Sequence, residues 1–338
     1  MNIFNYLQTT VDQILINHKA FQLAQDRIKL HLNAAQNFKE PICLAVVGES
    51  RTGKSRLLGY IAEQFPSIRS EQGMEIPVLS IETPSKPSVK GLVETLLCKI
   101  GDPIWAKRGS EIEKTERLYV LLKQTKTHTL VIDEFQHFYD KVSHKVQHYL
   151  SDWLKIFVGR SGLTLIVAGL PSSMAVINQN EQLRGRFQAP IHMPRFDWGK
   201  ADERDEFISC LEAFQSGLPR YEFADLSSEE VAFRFYCATG GLIGYVAKIL
   251  HQACLNAQTD NSVVITMADL GRAYVESVWS DAIIPQTNPF SVDLGSLPAQ
   301  VMMDIARHTG TGTPEVTTAR SRKSSGKKPL SGAEVLSA

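Results

Sequence analysis

Ile42-Cys43-Leu44-Ala45-Val46-Val47-Gly48-Glu49-Ser50-Arg51-Thr52-Gly53-Lys54-Ser55 is the stretch on which the fold turns. Its first six residues are apolar, rich in β-branched side chains, and too few for a buried helix. With Gly48 closing the run they read as a strand buried on both faces, the pattern of a parallel sheet. From Gly48 onward the residues fit G-x-x-x-x-G-K-[ST], with a helix expected from about Gly53. In that motif the glycines let backbone N–H groups wrap a phosphate chain, the lysine reaches the outer phosphates, and the hydroxyl ligates Mg²⁺. Average residue usage produces the four fixed positions by chance in about one chain in a hundred of this length, and the strand before and helix after make chance rarer still. The nucleotide-binding set is therefore Gly48, Glu49, Ser50, Arg51, Thr52, Gly53, Lys54 and Ser55, with ATP and Mg²⁺ as the expected ligands.

A second strand is expected at 77–81, and two further continuous apolar runs lie at Thr129-Leu130-Val131-Ile132 and at Leu163-Thr164-Leu165-Ile166-Val167-Ala168. Helical patterns separate them: Val89, Leu92, Val93, Leu96, Leu97 and Ile100 form one stripe behind Ser88 as N-cap, and 145–157 forms another. Strands alternating with helices predict a parallel α/β sheet. Asp133-Glu134 follows the third run, at the end of a strand where open parallel sheets bind ligands. Asp133 is the expected Mg²⁺ partner and Glu134 the group that orients and polarises the attacking water. A solvated acidic turn is the bland alternative, and the upstream loop argues against it.

Four segments follow from these patterns: an N-terminal helical piece (1–40), the α/β nucleotide-binding domain (41–197), an all-helical lid (198–278) with one short apolar run at Val263-Val264-Ile265, and a tail (279–338). The tail is rich in Pro, Gly, Ser and Thr and basic at Arg320, Arg322, Lys323, Lys327 and Lys328. Such a segment cannot bury enough apolar surface to offset its ordering entropy and is expected to be disordered. Its apolar residues, Phe290 among them, are candidate anchors for a partner. No internal repeat is present.

Composition narrows the class. The 338 residues are 43% hydrophobic and 21% charged, enough for a sizeable core. Net charge is zero, so nucleic-acid binding would have to come from a local basic patch. Five scattered cysteines without a C-x-x-C pair suit reduced thiols and a cytoplasmic location. No apolar run of about 18 residues and no leader pattern appears, so no membrane association is expected. His144 and His148 lack the glutamate of a zinc-protease motif and read as a solvated helix face; His137 reads as a packing residue. Ser172 and Ser173, after the fourth strand, have no acid–histidine pair to activate them, and a polar contact to phosphate or water suits them better.

In this order the motifs resemble the TniB/TnsC group of AAA+ transposition ATPases, over roughly 20–277. The likeness is carried by the phosphate loop, Ile100-Gly101-Asp102-Pro103, Val131-Ile132-Asp133-Glu134-Phe135-Gln136-His137, Asp152-Trp153-Leu154-Lys155, Val167-Ala168-Gly169-Leu170-Pro171, Gln182-Leu183-Arg184-Gly185-Arg186-Phe187 and Thr239-Gly240-Gly241-Leu242-Ile243-Gly244. It implies an ATPase that assembles as a ring or filament on double-stranded DNA with little sequence preference. It also implies a link between target-selection proteins and a transposase. Arg186 matches the arginine finger, with Arg184 as alternative, and Ser172 the first sensor. Lys86 and Lys90 match DNA-facing residues, and Lys107, Arg108 and Ser110 a second DNA-contacting loop. Tyr245 stands where the second sensor's arginine is expected, with Lys248 nearby. Two other functions share these motifs: an initiator or clamp-loader-like ATPase, which should carry that arginine and a DNA-reading domain, and a signalling or scaffold NTPase that binds no DNA.

Overall fold

The computed structural model describes residues 11–34, 40–71, 73–278 and 288–291. In chain order its elements are α1 (Lys19–Ala34), β1 (Cys43–Val47), α2 (Lys54–Glu63), β2 (Ile68–Ser70), β3 (Gly73–Glu75), β4 (Val78–Glu82), α3 (Val89–Ile100), α4 (Glu111–Gln124), β5 (Thr129–Asp133), α5 (His137–Asp140), α6 (His144–Ser161) and β6 (Thr164–Gly169). A 3₁₀ turn at Pro171–Ser173, α7 (Met174–Ile177), α8 (Glu181–Arg184) and β7 (Ile191–His192) complete the α/β part. The lid holds α9 (Ala201–Ser216), β8 (Glu222–Phe223), α10 (Glu229–Thr239), α11 (Ile243–Thr259), β9 (Val264–Ile265) and α12 (Met267–Ser277).

The five-stranded sheet runs β4-β5-β6-β1-β7, every pair parallel. Because strand side chains alternate between faces, the continuous apolar runs supply two cores at once. Cys43, Ala45, Leu79, Ile81, Leu130, Ile132, Leu165 and Val167 meet α3, α4 and α6 on one face. Leu44, Val46, Val78, Val131, Ile166 and Ala168 meet α1 and α2 on the other. β1 lies between β6 and β7, so the loop that follows it emerges at the carboxyl edge of the sheet beside the ends of β5 and β6.

The lid has its own core around Phe207, Leu211, Phe235, Val246, Ile249 and Leu270. It is helical except for a two-residue parallel pairing of β8 with β9. Phe290, expected in the tail, is instead buried in this core, 5.0 Å from the Phe235 ring, and Arg234 Nη1 donates to Pro289 O at 2.8 Å. The rest of the tail, and the N-terminal piece before residue 11, lie outside the described residues. Among the described residues no helix is long and apolar enough to cross a membrane.

Candidate nucleotide site

The phosphate loop is built by steric necessity at two glycines. A Cβ on Gly48 would stand 2.3 Å from Met193 O, on the residue after β7, so any side chain there would push the loop off the sheet. Gly53 sits at φ 93, a left-handed conformation that glycine adopts without strain. Arg51 is also left-handed (φ 67), which turns the loop so that α2 starts at Lys54. Thr52 Oγ1 pins the turn by donating to Glu49 O at 2.9 Å.

Lys54 is 7% exposed, and its Nζ donates to Gly48 O at 2.9 Å and Glu49 O at 2.6 Å. An ammonium carries three donors, so these bonds leave one for an anion. Burial pulls its pKa below the ordinary lysine value, and the charges of Asp133, Glu134 and Glu49 oppose that shift. The neighbouring carboxylates thus favour the charged ammonium, and its desolvated charge is what can attract an incoming polyphosphate.

Asp133 ends β5, 8% exposed, and its Oδ1 accepts from Glu134 N at 2.8 Å. That bond accompanies φ 54 at Glu134, an uncommon conformation for a non-glycine residue and one that clusters at functional sites. Thr83, following β4, donates through both N and Oγ1 to Asp133 O at 2.9 Å and so fixes the strand end. Among the described residues no group of three His, Cys, Asp or Glu side chains could cage a metal with protein atoms alone. The Ser55 hydroxyl with the Asp133 carboxylate suits Mg²⁺, which is ordinarily completed by phosphate oxygens and waters.

Sequence reasoning missed Gln136. It is 6% exposed; its Nε2 donates to Glu134 Oε2 at 2.5 Å while its Oε1 accepts from Leu170 N at 3.2 Å. Gln136 therefore bridges the end of β6 to the candidate base. Gly169 makes the room, since a Cβ there would lie 2.5 Å from Gln136 Oε1. Its polar side chain two residues after the acidic pair was the available signal. Ser172, expected at the first-sensor position, lies half-buried in the 3₁₀ turn, and no hydrogen bond joins it to the acidic pair.

The two arginines differ sharply. Arg186 is half-buried, donating to Lys155 O at 2.5 Å, with its guanidinium over Gly159, where a Cβ would be 2.9 Å away. It is engaged by α6 of its own chain, whereas Arg184, in the last turn of α8, is exposed. Lys86, Lys90, Lys107 and Arg108 are all exposed and form no ion pair among the described residues. They fall at opposite ends of α3, a helix of 12 residues and hence about 18 Å long. Ser110 is the N-cap of α4: its Oγ accepts from Glu113 N at 3.2 Å and donates to Glu113 Oε2 at 3.0 Å, so its hydroxyl serves the helix.

A cavity of about 620 Å³ lies between the start of α1 and the lid, lined by His18, Lys19, Arg195, Phe196 and Glu206. Arg195 also holds Glu49 of the phosphate loop, with Nε 2.9 Å from Oε1, and this hydrogen bonding keeps the Glu49 carboxyl below its usual range.

A family model described as bacterial TniB protein matches residues 7–198, more than half of the chain. No protein of curated function matches in sequence. Among solved structures the chain is similar to Cdc6p from Pyrobaculum aerophilum, at 18% identity and TM-score 0.58 over 79% of this chain and 69% of that one. It is also similar to the Aeropyrum pernix ORC2 protein in ADPNP-ADP complexes, at 14% identity and TM-score 0.55 over 76% and 67%. The A. pernix ORC1 protein in complex with DNA gives 14% and 0.53 over 75% and 64%. These likenesses show the fold, which is that of the AAA+ ATPases.

Proposed function

The chain belongs to the TniB family, and from that membership we propose that it is a Mg²⁺-dependent ATPase that assembles on double-stranded DNA and links target-site choice to a transposase. The observation that carries the ATPase reading is the buried Lys54 ammonium, held by the carbonyls of Gly48 and Glu49 and flanked electrostatically by Asp133 and Glu134.

In this reading the loop N–H groups and Lys54 bind the phosphates, and Ser55 with Asp133 holds Mg²⁺. When bound, that ion would supply charge neutralisation to the phosphates. Glu134, fixed through Gln136, would orient a water for in-line attack on the γ-phosphorus and accept its proton, while the bond from that phosphorus to the bridging oxygen breaks and ADP leaves with the bonding pair. The cavity beside Arg195 takes the nucleoside end, where His18, its pKa lowered to about 4 by burial, stays neutral. Arg184, rather than Arg186, is free to reach a neighbouring subunit's nucleotide, so the site is completed across an interface in a homo-oligomer.

Lys86, Lys90, Lys107 and Arg108 offer exposed point charges, suited to phosphates rather than base edges. An initiator-like role finds support in the fold of the Cdc6p and ORC relatives; against it, Tyr245 stands in place of the second sensor's arginine. A scaffold NTPase would self-associate with nucleotide and bind no DNA.

The test separates binding from turnover. Lys54→Ala should weaken ATP binding in titration calorimetry, and Glu134→Gln should bind ATP yet lose about 10²-fold or more of turnover. Unchanged steady-state hydrolysis by Glu134→Gln overturns the assignment.

A further inference from the structure

The lid meets the phosphate loop directly. Gly244 N, at the start of α11, donates to Arg51 O at 2.9 Å, and a Cβ on Gly244 would stand 2.9 Å from that same oxygen. The Arg51 guanidinium lies 5.6 Å from the Tyr245 ring centroid, within cation–π range. Here the loop offers the cation and the lid the ring.

Arg195, on the hinge between β7 and α9, reaches both partners at once. Its Nε donates to Glu49 Oε1 at 2.9 Å and its Nη2 to Glu49 Oε2, while Nη1 donates to Gly240 O at 3.1 Å. Gly240 caps α10 in the left-handed conformation, and Gly241 after it is left-handed too. The next hinge residue is bound to the same turn: Phe196 N donates to Gly241 O at 3.0 Å, and a Cβ on Gly241 would fall 2.3 Å from Phe196 O. The 195–196 hinge and the 240–241 turn are thus packed too closely to move independently.

We propose that Arg195 is a positioning residue that makes the orientation of the lid follow the state of the phosphate loop. Glu49 occupies the second position of a loop that must wrap an anionic phosphate chain. A triphosphate in the loop brings negative charge towards the Glu49 carboxylate and alters its hold on the guanidinium. The same guanidinium carries that change to Gly240 and so to the turn between α10 and α11. The planar fork matters, because one side chain must grip a carboxylate with two nitrogens and a carbonyl with a third. Lysine can keep the charge but not the three bonds.

The inference rests on the nucleotide reading above and is tested by lid orientation, with turnover left aside. In full-length protein carrying Cys98→Ser, with cysteines introduced for the exposed Ile156 on α6 and Val275 on α12, energy transfer between dyes reports the angle between lid and sheet. Adding ATP and Mg²⁺ should shift the transfer in the parent. Compared at ATP concentrations that saturate each protein, whatever its affinity, Arg195→Ala, Glu49→Gln and Arg195→Lys should each lose most of the shift. The coupling lost should be about five-fold or more in the loop–lid equilibrium, the lower end of inter-site couplings. If Arg195→Ala does not fold, judged by its circular dichroism melt, the Arg195→Lys and Glu49→Gln proteins decide. A full shift in nucleotide-bound Glu49→Gln or Arg195→Lys overturns the proposal, as does a parent that binds nucleotide without any shift. A parent that binds no nucleotide refutes the ATPase reading instead.

Discussion

In the proposed mechanism, Gln136 gives a single amide a large effect on turnover. It joins Glu134 Oε2 to Leu170 N, so Gln136→Ala should free the Glu134 carboxylate while leaving the phosphate loop untouched. Turnover should fall on the order of 10- to 100-fold, the size expected when a catalytic group loses its position, with ATP affinity within error of the parent. A rapid-quench measurement beside an ATP titration checks both halves. His18 makes a second prediction, of opposite character. Buried in the hinge cavity, it has a folded pKa of about 4 against the ordinary 6.5, through desolvation. At pH 7 it is neutral folded or unfolded. As pH falls from 6.5 towards 4 the unfolded chain takes up a proton that the folded chain declines, so stability is lost with acidification, up to about 3 kcal/mol for this group. Melting curves of the parent and His18→Gln across that window should converge as pH falls. The loop between β1 and α2 and the acidic end of β5 were legible in the sequence because fixed residue spacings follow continuous apolar runs there. Gln136 and Arg195 were not, because each acts on a partner 34 and 146 residues away and only the folded sheet brings them together.

Among elements, α4 is the instructive one. Its hydrophobic stripe is thin, with Leu118 and Leu122 buried and Ile112 and Val120 exposed, so periodicity did not reveal it. Its start is nevertheless written in Ser110 and Glu113, a full capping box. Ser110→Ala should therefore cost about 1 kcal/mol of stability, read by urea denaturation. DNA affinity should change far less than in a Lys107→Glu, Arg108→Glu protein. The loop before α4 is firmly set: Arg117 forms a two-bond ion pair with Asp102 at 2.6 and 2.7 Å, and Lys114 Nζ donates to Trp105 O at 2.8 Å. Lys107 and Arg108 are thus displayed from a rigid turn. The long runs β1, β5 and β6 were readable because burial on both faces makes them continuously apolar. The β2–β3 pair was not, being three residues a strand and exposed, with Ile68 and Met74 too isolated to set an alternation.

For the whole molecule, an interface-completed site predicts complementation. Subunits carrying Arg184→Ala and subunits carrying Lys54→Ala should each be poor ATPases that still assemble, and mixing them should restore part of the activity, since some interfaces pair an intact loop with an intact arginine. The same mixture made with Arg186→Ala should behave as a stability variant, because that side chain braces α6 through Lys155 O. No recovery in the Arg184 mixture would remove it as the finger. DNA affinity should fall steeply with added salt through counterion release, and Lys86→Glu with Lys90→Glu should weaken unrelated duplexes about equally. The switch from strand-and-helix alternation to helices after β7 was legible because the strand runs are apolar and continuous while the later segments follow helical spacing. The place of Phe290 was not, since its surroundings in sequence are those of a tail while its ring completes the lid core.

That ring has a mechanical meaning. Phe290 sits against Phe235 and Tyr274, and Asn288 Nδ2 donates to Gly271 O at 2.8 Å, so residues 288–291 are anchored on the lid and not on the sheet. A pull on that segment is therefore borne first by α10 and α12. Beyond them, the turn at Gly240 is tied through the Arg195 guanidinium to Glu49, so a load applied at Phe290 has a bonded route to the phosphate loop.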